Sequence, residues 1–187
     1  RICRQVLEPK DASHFFSDAY YLSMGFAVPA AIGVMYADPK SKVYAIVGDG
    51  AFQMTGMELA TAARYKLNPI VVVLNNRGYG TERQIHDGPY NDLWPWQYHR
   101  VPEILGAGRG FVVETEEELD RALREAASYP DGFCLLEVRL DPFDRRRWVD
   151  VPKPSAAVLI EVGRCRTVRE GRHRQVHGSQ QVNERDG

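Results

Sequence analysis

Val43-Tyr44-Ala45-Ile46-Val47-Gly48-Asp49-Gly50 is the stretch that decides the fold. Lys42 to Val47 reads as a strand that is apolar throughout, the pattern of a strand covered on both faces. It closes on Gly-Asp-Gly, which allows a sharp exit. Residues 51–74 separate that exit from a second one: Ile70-Val71-Val72-Val73-Leu74 runs into Asn75-Asn76. Between the two strands, Thr55 followed by Glu58 has the spacing of a capping box. Met57, Leu59, Ala60, Ala63 and Leu67 then supply an apolar helical face, which Asn68-Pro69 stops. Strand, helix, strand implies parallel pairing through a right-handed crossover. Ligands of such sheets bind beyond the carboxyl ends of the strands, and Asp49 and Asn75-Asn76 both fall there.

The flanking sequence extends this pattern. Ser23 to Tyr36 is rich in Ala, Gly and larger apolar residues and reads as a buried helix despite Pro29. Glu116 to Ser128 is amphipathic, with Leu119, Ala122, Leu123, Ala126 and Ala127 on one side. Phe133 to Leu140 reads as a further strand. Arg77 to Gly110 is long, aromatic and rich in Gly and Pro, with short helices expected near Glu82 and over Val101–Ala107. Segments of that kind carry function more often than regular elements do. The expected product is an α/β domain, a three-layer α/β/α sandwich with a mostly parallel sheet, over residues 17–150. Residues 1–16 read as a degraded or flexible segment. Residues 151–187 carry seven Lys+Arg against four Asp+Glu and from about Gly163 lack apolar periodicity, so they read as a disordered tail. No internal repeat or second domain is visible.

Composition narrows the partners. Apolar residues make up 44% of the chain and the net charge is −1, which gives no electrostatic case for nucleic acid or an anionic membrane. No apolar run approaches the roughly 18 residues of a membrane span. Cys3, Cys134 and Cys165 are scattered and form no framework, and no signal peptide is apparent, so a cytoplasmic protein is expected.

The two strand ends suggest a cation. Mg²⁺ takes hard oxygen ligands in an octahedron and fills several positions with phosphate and water. Asp49 offers a charged oxygen, Asn76 a neutral one, and Gly78 a carbonyl that no Cβ obstructs. Gly48 and Gly50 would let the backbone approach a diphosphate closely, with amides near Gly50-Ala51 adding hydrogen bonds.

Gly48-Asp49-Gly50 followed by Asn75-Asn76 resembles the diphosphate-binding motif of thiamine diphosphate enzymes, and the likeness runs from about Ser17 to Leu140. It implies Mg²⁺ on Asp49, Asn76 and the Gly78 carbonyl. Tyr20-Tyr21-Leu22-Ser23-Met24-Gly25-Phe26 is similar to the stretch that holds the cofactor's aminopyrimidine. The resemblance places the Leu22 carbonyl on the exocyclic amine and Met24 beneath the bent cofactor, with Ser23 and Tyr79 also in contact. Asn75 to His86, with an acid at Glu82, and Tyr90-Asn91-Asp92-Leu93 before Trp94 and Trp96 resemble the pyruvate and indolepyruvate decarboxylase branch. That branch implies a 2-oxo acid substrate and Glu82 as the proton donor needed before an aldehyde departs. It also implies an aminopyrimidine-binding domain, missing from this chain, that supplies an activating glutamate, so the chain alone is expected to decarboxylate nothing. A homodimer or higher oligomer is expected. A carboligase of the acetolactate synthase type and a non-catalytic assembly module are the alternatives. His14, His86 and His99 have no metal-ligand spacing and read as structural or exposed.

Overall fold

The computed structural model of the chain describes residues 14–17, 23–143 and the backbone of 159–162. Its sheet has six strands: β1 (Phe15–Phe16), β2 (Val43–Gly48), β3 (Ile70–Asn75), β4 (Arg109–Val113), β5 (Cys134–Arg139) and β6 (Leu159–Val162). Their order is β1-β6-β2-β3-β5-β4. Strands β2, β3, β5 and β4 are mutually parallel, while β6 pairs antiparallel with both β2 and β1. The sheet is therefore mostly parallel, as expected, with an antiparallel edge.

Helices cover both faces. On one face lie α1 (Ala27–Ala37), α2 (Asp49–Thr55), α3 (Leu59–Tyr65) and α4 (Val101–Leu105). Their buried residues, among them Val28, Met35, Phe52, Leu59 and Val101, pack on Val43, Ala45, Val47, Val71, Val73 and Leu135. On the other face α5 (Glu116–Ser128) sets Ala122 and Ala126 against Ile70, Val72, Val113 and Leu136. Odd and even strand positions thus feed opposite cores, which is why β3 is apolar at nearly every residue. The three-layer sandwich follows.

Several boundaries differ from the sequence reading. Helix α1 begins at Ala27, after a turn in which Gly25 takes φ +89. Pro29 is tolerated because it sits in the first turn, where its missing N–H has no intrahelical partner to lose. The capping box at Thr55 does not form. The chain turns helical directly at Asp49, and Thr55 closes α2 instead of opening a helix. Its hydroxyl donates to the Gly25 carbonyl at 2.6 Å. One 3₁₀ turn over Gly56–Glu58 then leads to α3, and Met57 and Ala60 stay exposed while Leu59 and Ala62 are buried. In α5, Thr115 caps the first turn by accepting from the Glu118 amide at 3.2 Å. Ala127 is exposed, one step outside the apolar stripe.

Strand β4 was hidden in the long loop because it is a short sheet edge with Arg109 and Gly110 exposed. The expected short helices are present, as a 3₁₀ turn at Glu82–Gln84 and as α4, which Gly106 ends at φ +63. The sheet crosses both expected domain limits, since β1 falls in 1–16 and β6 in 151–187. The disorder expected beyond Gly163 concerns residues outside those described. No described helix is long and apolar enough to cross a membrane.

Candidate metal and diphosphate site

Strand register builds the site. In the parallel pair β2–β3, Val47 faces Val73 and Gly48 faces Leu74. The next residues along the two strands are Asp49 and Asn75, so the exits lie side by side at the carboxyl edge. Gly48 is extended and leads into α2 at Asp49. Asn75 leads into Asn76 and then Arg77, which takes φ +58 and reverses the chain.

Asp49 is buried. Its Oδ1 accepts from the Gly50 amide at 2.8 Å, and its Oδ2 from the Gly78 amide at 3.0 Å. Burial raises its pKa, opposed by the amides of Gly50, Gly78 and Arg77. The sign shows a carboxylate whose desolvation these amides do not fully offset, a condition a bound cation would relieve.

The oxygens around Asp49 are arranged to receive one. The inward atom of the Asn76 amide lies 3.2 Å from Asp49 Oδ1 and 2.9 Å from the Gly78 carbonyl oxygen. With nitrogen there, Asn76 donates to both. With oxygen there, the Asn76 oxygen stands from the Asp49 carboxylate and from the Gly78 carbonyl at about the spacing of adjacent octahedral ligands, roughly 3.0 Å for an Mg–O bond near 2.1 Å. Asp49, Asn76 and Gly78 therefore fit Mg²⁺. Among the described residues no group of three or more His, Cys, Asp or Glu could hold a metal. A cation here would draw its remaining ligands from phosphate and water.

The glycines do different work from one another. A Cβ on Gly48 would meet nothing within 4 Å, which leaves its side open for an incoming group. Gly50 serves packing rather than phosphate approach, because its Cβ would come within 2.5 Å of the Tyr79 ring and 3.1 Å of Leu93. Gly78 is enclosed as well: a Cβ would lie 2.3 Å from both Arg83 Nη2 and the Asn91 carbonyl. Ala51 is buried in the core below the turn, and Tyr79 is half-buried above Gly50.

Arg83 pins this loop, a role the sequence did not signal. Its buried guanidinium donates to the carbonyls of Arg77 (3.0 Å) and Pro142 (3.2 Å) and to Asp92 Oδ1 at 2.7 Å. A second unsignalled group is Glu137, buried on β5. It accepts from Asn75 Nδ2 at 2.8 Å and lies 2.5 Å from His99 Nδ1. His99, half-buried, is thus hydrogen-bonded to a buried carboxylate. A charged residue within an apolar strand, Leu135-Leu136-Glu137-Val138, was the available signal.

The other expected residues lie elsewhere. Leu22 is outside the described residues. Ser23 is exposed, and Met24 is half-buried against the core beside α1. Through the Thr55–Gly25 bond that segment sits at the far end of α2, whose rise from Asp49 is about 9 Å. Glu82 lies on its 3₁₀ turn with its side chain exposed, so this chain alone gives it no water-poor pocket.

Taken together, an α/β sandwich that brings Asp49, Asn76 and Gly78 together at two adjacent strand exits has the frame of α/β proteins that bind ligands beyond the carboxyl ends of their strands. Residues 1–138 match the family described as "Thiamine pyrophosphate enzyme, C-terminal TPP binding domain". An alpha-keto-acid decarboxylase of Mycolicibacterium paratuberculosis is 40% identical over 147 residues, which cover 76% of this chain and 26% of that protein. A probable pyruvate decarboxylase of Schizosaccharomyces pombe is 40% identical over 125 residues, covering 65% of this chain and 22% of the relative. Among solved structures, the thiamine diphosphate-dependent 4-hydroxybenzoylformate decarboxylase of Rhodococcus jostii RHA1 superposes with a TM-score of 0.58 at 31% identity. That match covers 63% of this chain and 23% of the other.

The chain belongs to the thiamine pyrophosphate enzyme family and corresponds to its C-terminal cofactor-binding domain, related to pyruvate and other 2-oxo acid decarboxylases. It spans about a quarter of the length of the curated relatives it matches.

Proposed function

We propose that this chain is the thiamine diphosphate- and Mg²⁺-binding domain of a non-oxidative 2-oxo acid decarboxylase of the pyruvate, phenylpyruvate or indolepyruvate type. The observation that carries the reading is the placement of the Asn76 amide 3.2 Å from the Asp49 carboxylate and 2.9 Å from the Gly78 carbonyl. The relatives named above are all decarboxylases, which supports this reading over a carboligase.

When bound, thiamine diphosphate supplies the electron sink for the bond to the departing CO₂. In this reading Asp49, Asn76 and the Gly78 carbonyl hold the cation that grips its diphosphate. Gly48 leaves the approach open, and the Gly50, Ala51 and Tyr79 region forms the wall beneath. The Leu22 carbonyl, Ser23 and Met24 orient the aminopyrimidine. Glu82 holds the proton destined for the carbon that loses CO₂. Because Glu82 is exposed here, a water-poor setting for it falls to a partner aminopyrimidine-binding domain, from the same or a second copy in a dimer. A cytoplasmic location fits this chemistry.

Titration calorimetry of the chain with thiamine diphosphate tests the reading. Mg²⁺-dependent binding that disappears in Asp49→Ala is the expected result. No binding up to millimolar cofactor, with or without Mg²⁺, would favour an assembly module that keeps only the fold. In a protein joined to its aminopyrimidine-binding partner, Glu82→Gln is expected to collapse aldehyde release. Unimpaired release there would remove Glu82 from the proton-donor role.

A further inference from the structure

The turn that carries the proposed metal site is held from behind by a cluster of hydrogen bonds on the buried Glu137 carboxylate. Glu137 faces Val73 in the register of β5 with β3, and its side chain is 2% exposed. A carboxylate so placed costs desolvation that an apolar residue would avoid. Both its oxygens are committed. Oε2 accepts from the His99 amide at 3.2 Å and contacts His99 Nδ1 at 2.5 Å. Oε1 accepts from Asn75 Nδ2 at 2.8 Å, with Arg139 Nε more distant at 3.5 Å.

Asn75 passes the constraint on. With its nitrogen held by Glu137, its Oδ1 is turned toward the chain ahead and accepts from the Arg77 amide at 3.2 Å. That bond closes the reversal at Arg77, where φ is +58. The following amide, on Gly78, then reaches Asp49 Oδ2 at 3.0 Å. An Asn75 side chain rotated the other way would present a donor to the Arg77 amide and open the turn.

We propose that Glu137 is a positioning residue for the metal site. Anchored by His99, it fixes the Asn75 amide, and Asn75 fixes the reversal that aims Asn76 and Gly78 at Asp49. The inference rests on the metal reading of those three residues.

The test uses Glu137→Ala, Glu137→Gln, Asn75→Ala and the double variant Glu137→Ala/Asn75→Ala in the full chain, each held well below its unfolding temperature. Two quantities are read: Mg²⁺ affinity in the presence of thiamine diphosphate, by calorimetry, and amide exchange at Arg77 and Gly78 without ligand, by NMR. Either alanine variant is expected to weaken Mg²⁺ binding about tenfold or more, as loss of a partner behind a metal ligand does. The double variant should be no worse than the weaker single one, because both cut the same relay. Glu137→Gln, whose oxygen still accepts from Asn75 but whose NH2 then meets the His99 amide donor, should recover the affinity only in part.

A role confined to stability would lower the melting temperature and leave both readouts of the folded protein at wild-type values. That result, or additive losses in the double variant, overturns the proposal. Should the wild-type chain bind no cofactor, the functional reading fails while amide exchange still decides the relay. Faster exchange at Arg77 and Gly78 in Asn75→Ala supports it, and unchanged exchange sinks it. If Glu137→Ala does not fold, Asn75→Ala and Glu137→Gln carry the comparison.

Discussion

The turn from Asn75 to Gly80 and the segment from Ile85 to Trp96 lie close in the chain and are joined through Asn91 and Leu93, but the large side chains of Ile85, Tyr90 and Trp94 are left outside. In the turn, nearly every polar group has a partner within the domain. Gly78 donates to Asp49, Arg77 to Asn75, and Arg83 grips the Arg77 carbonyl from a buried position. In the segment beyond, Ile85 is 71% exposed and Trp94 81%, and Glu82, just ahead of it, also faces outward. The difference teaches where each half of the chemistry is built. In the proposed reading, the grip on a metal and diphosphate falls to the buried Asp49 and Gly78 and the half-buried Asn76 of this chain. Glu82, the proposed proton donor, and the neighbouring aromatics Tyr90 and Trp94 face outward, so their surroundings depend on what covers them.

Four substitutions or titrations break or sharpen this contrast. The largest effect is expected at Phe52, fully buried in α2 and set edge-on to Tyr98 with ring centroids 5.5 Å apart. Phe52→Ala should destabilise the chain by about 3–5 kcal/mol, measured by urea unfolding, and should loosen Asp49 at the start of the same helix. A loss below about 1 kcal/mol would mean that α2 does not depend on that core.

Gly78→Ala comes next. Its Cβ would meet the backbone oxygen of Asn91 and the Arg83 guanidinium, and overpacking of that kind costs about 1–3 kcal/mol. Mg²⁺-dependent cofactor binding should fall with it, whereas Gly48→Ala, whose Cβ meets open space, should leave stability intact.

The third effect appears only in alkali. Burial pushes the Tyr98 hydroxyl from 10.0 up to about 12, with Gln53 opposing as a hydrogen-bond donor. A raised pKa means that the folded state keeps a proton the unfolded state has released. The stabilisation is therefore complete below pH 10 and lost as pH rises toward 12. Thermal melts across that range should show the fall, and Tyr98→Phe should flatten it. An equal fall in Tyr98→Phe would assign it elsewhere, Cys134 being the nearest rival because burial raises its thiol to about 11.

The smallest effect belongs to the exposed segment. Trp94→Ala should change the stability of this chain by no more than about 0.5 kcal/mol, as measured by urea unfolding. A cost above 2 kcal/mol would show that the segment is held as firmly as the turn and would erase the contrast.

Glu137 responds to acid in the opposite sense to Tyr98. Burial raises its pKa, but hydrogen bonds from His99 and Asn75 outweigh that and leave it below the ordinary value of 4.5. Its contribution is therefore full above pH 4.5 and fades as pH falls through the lowered value. The buried side of the molecule is thus stabilised between an acidic limit set by β5 and an alkaline limit set by the loop before α4.

Much of this was legible in one dimension. Strands β2, β3 and β5 and helix α5 show plainly because their burial is periodic or complete along the chain, and burial is what apolar patterning records. The pairing of Asp49 with Asn76 was legible because each follows directly on a buried strand. The start of α2 was not, since Gly48-Asp49-Gly50 reads as a turn and the contact of Phe52 with Tyr98 lies 46 positions away along the chain. Strand β4 was obscured by its glycine and its exposure at the edge.

By itself, the sequence determined the alternation of elements and the parallel sheet, and it singled out Asp49 and Asn76 at the two strand exits, because each depends on residues that are neighbours or evenly spaced. Only the tertiary structure decided which glycine is open and which is packed, that Arg83 locks the loop, and that Glu137, His99 and Asn75 meet behind the metal turn. Those contacts join β3, β5 and the loop between them, residues 38 and 62 positions apart. No local pattern encodes them, because a buried charge finds its partners through the strand register that sheet formation imposes.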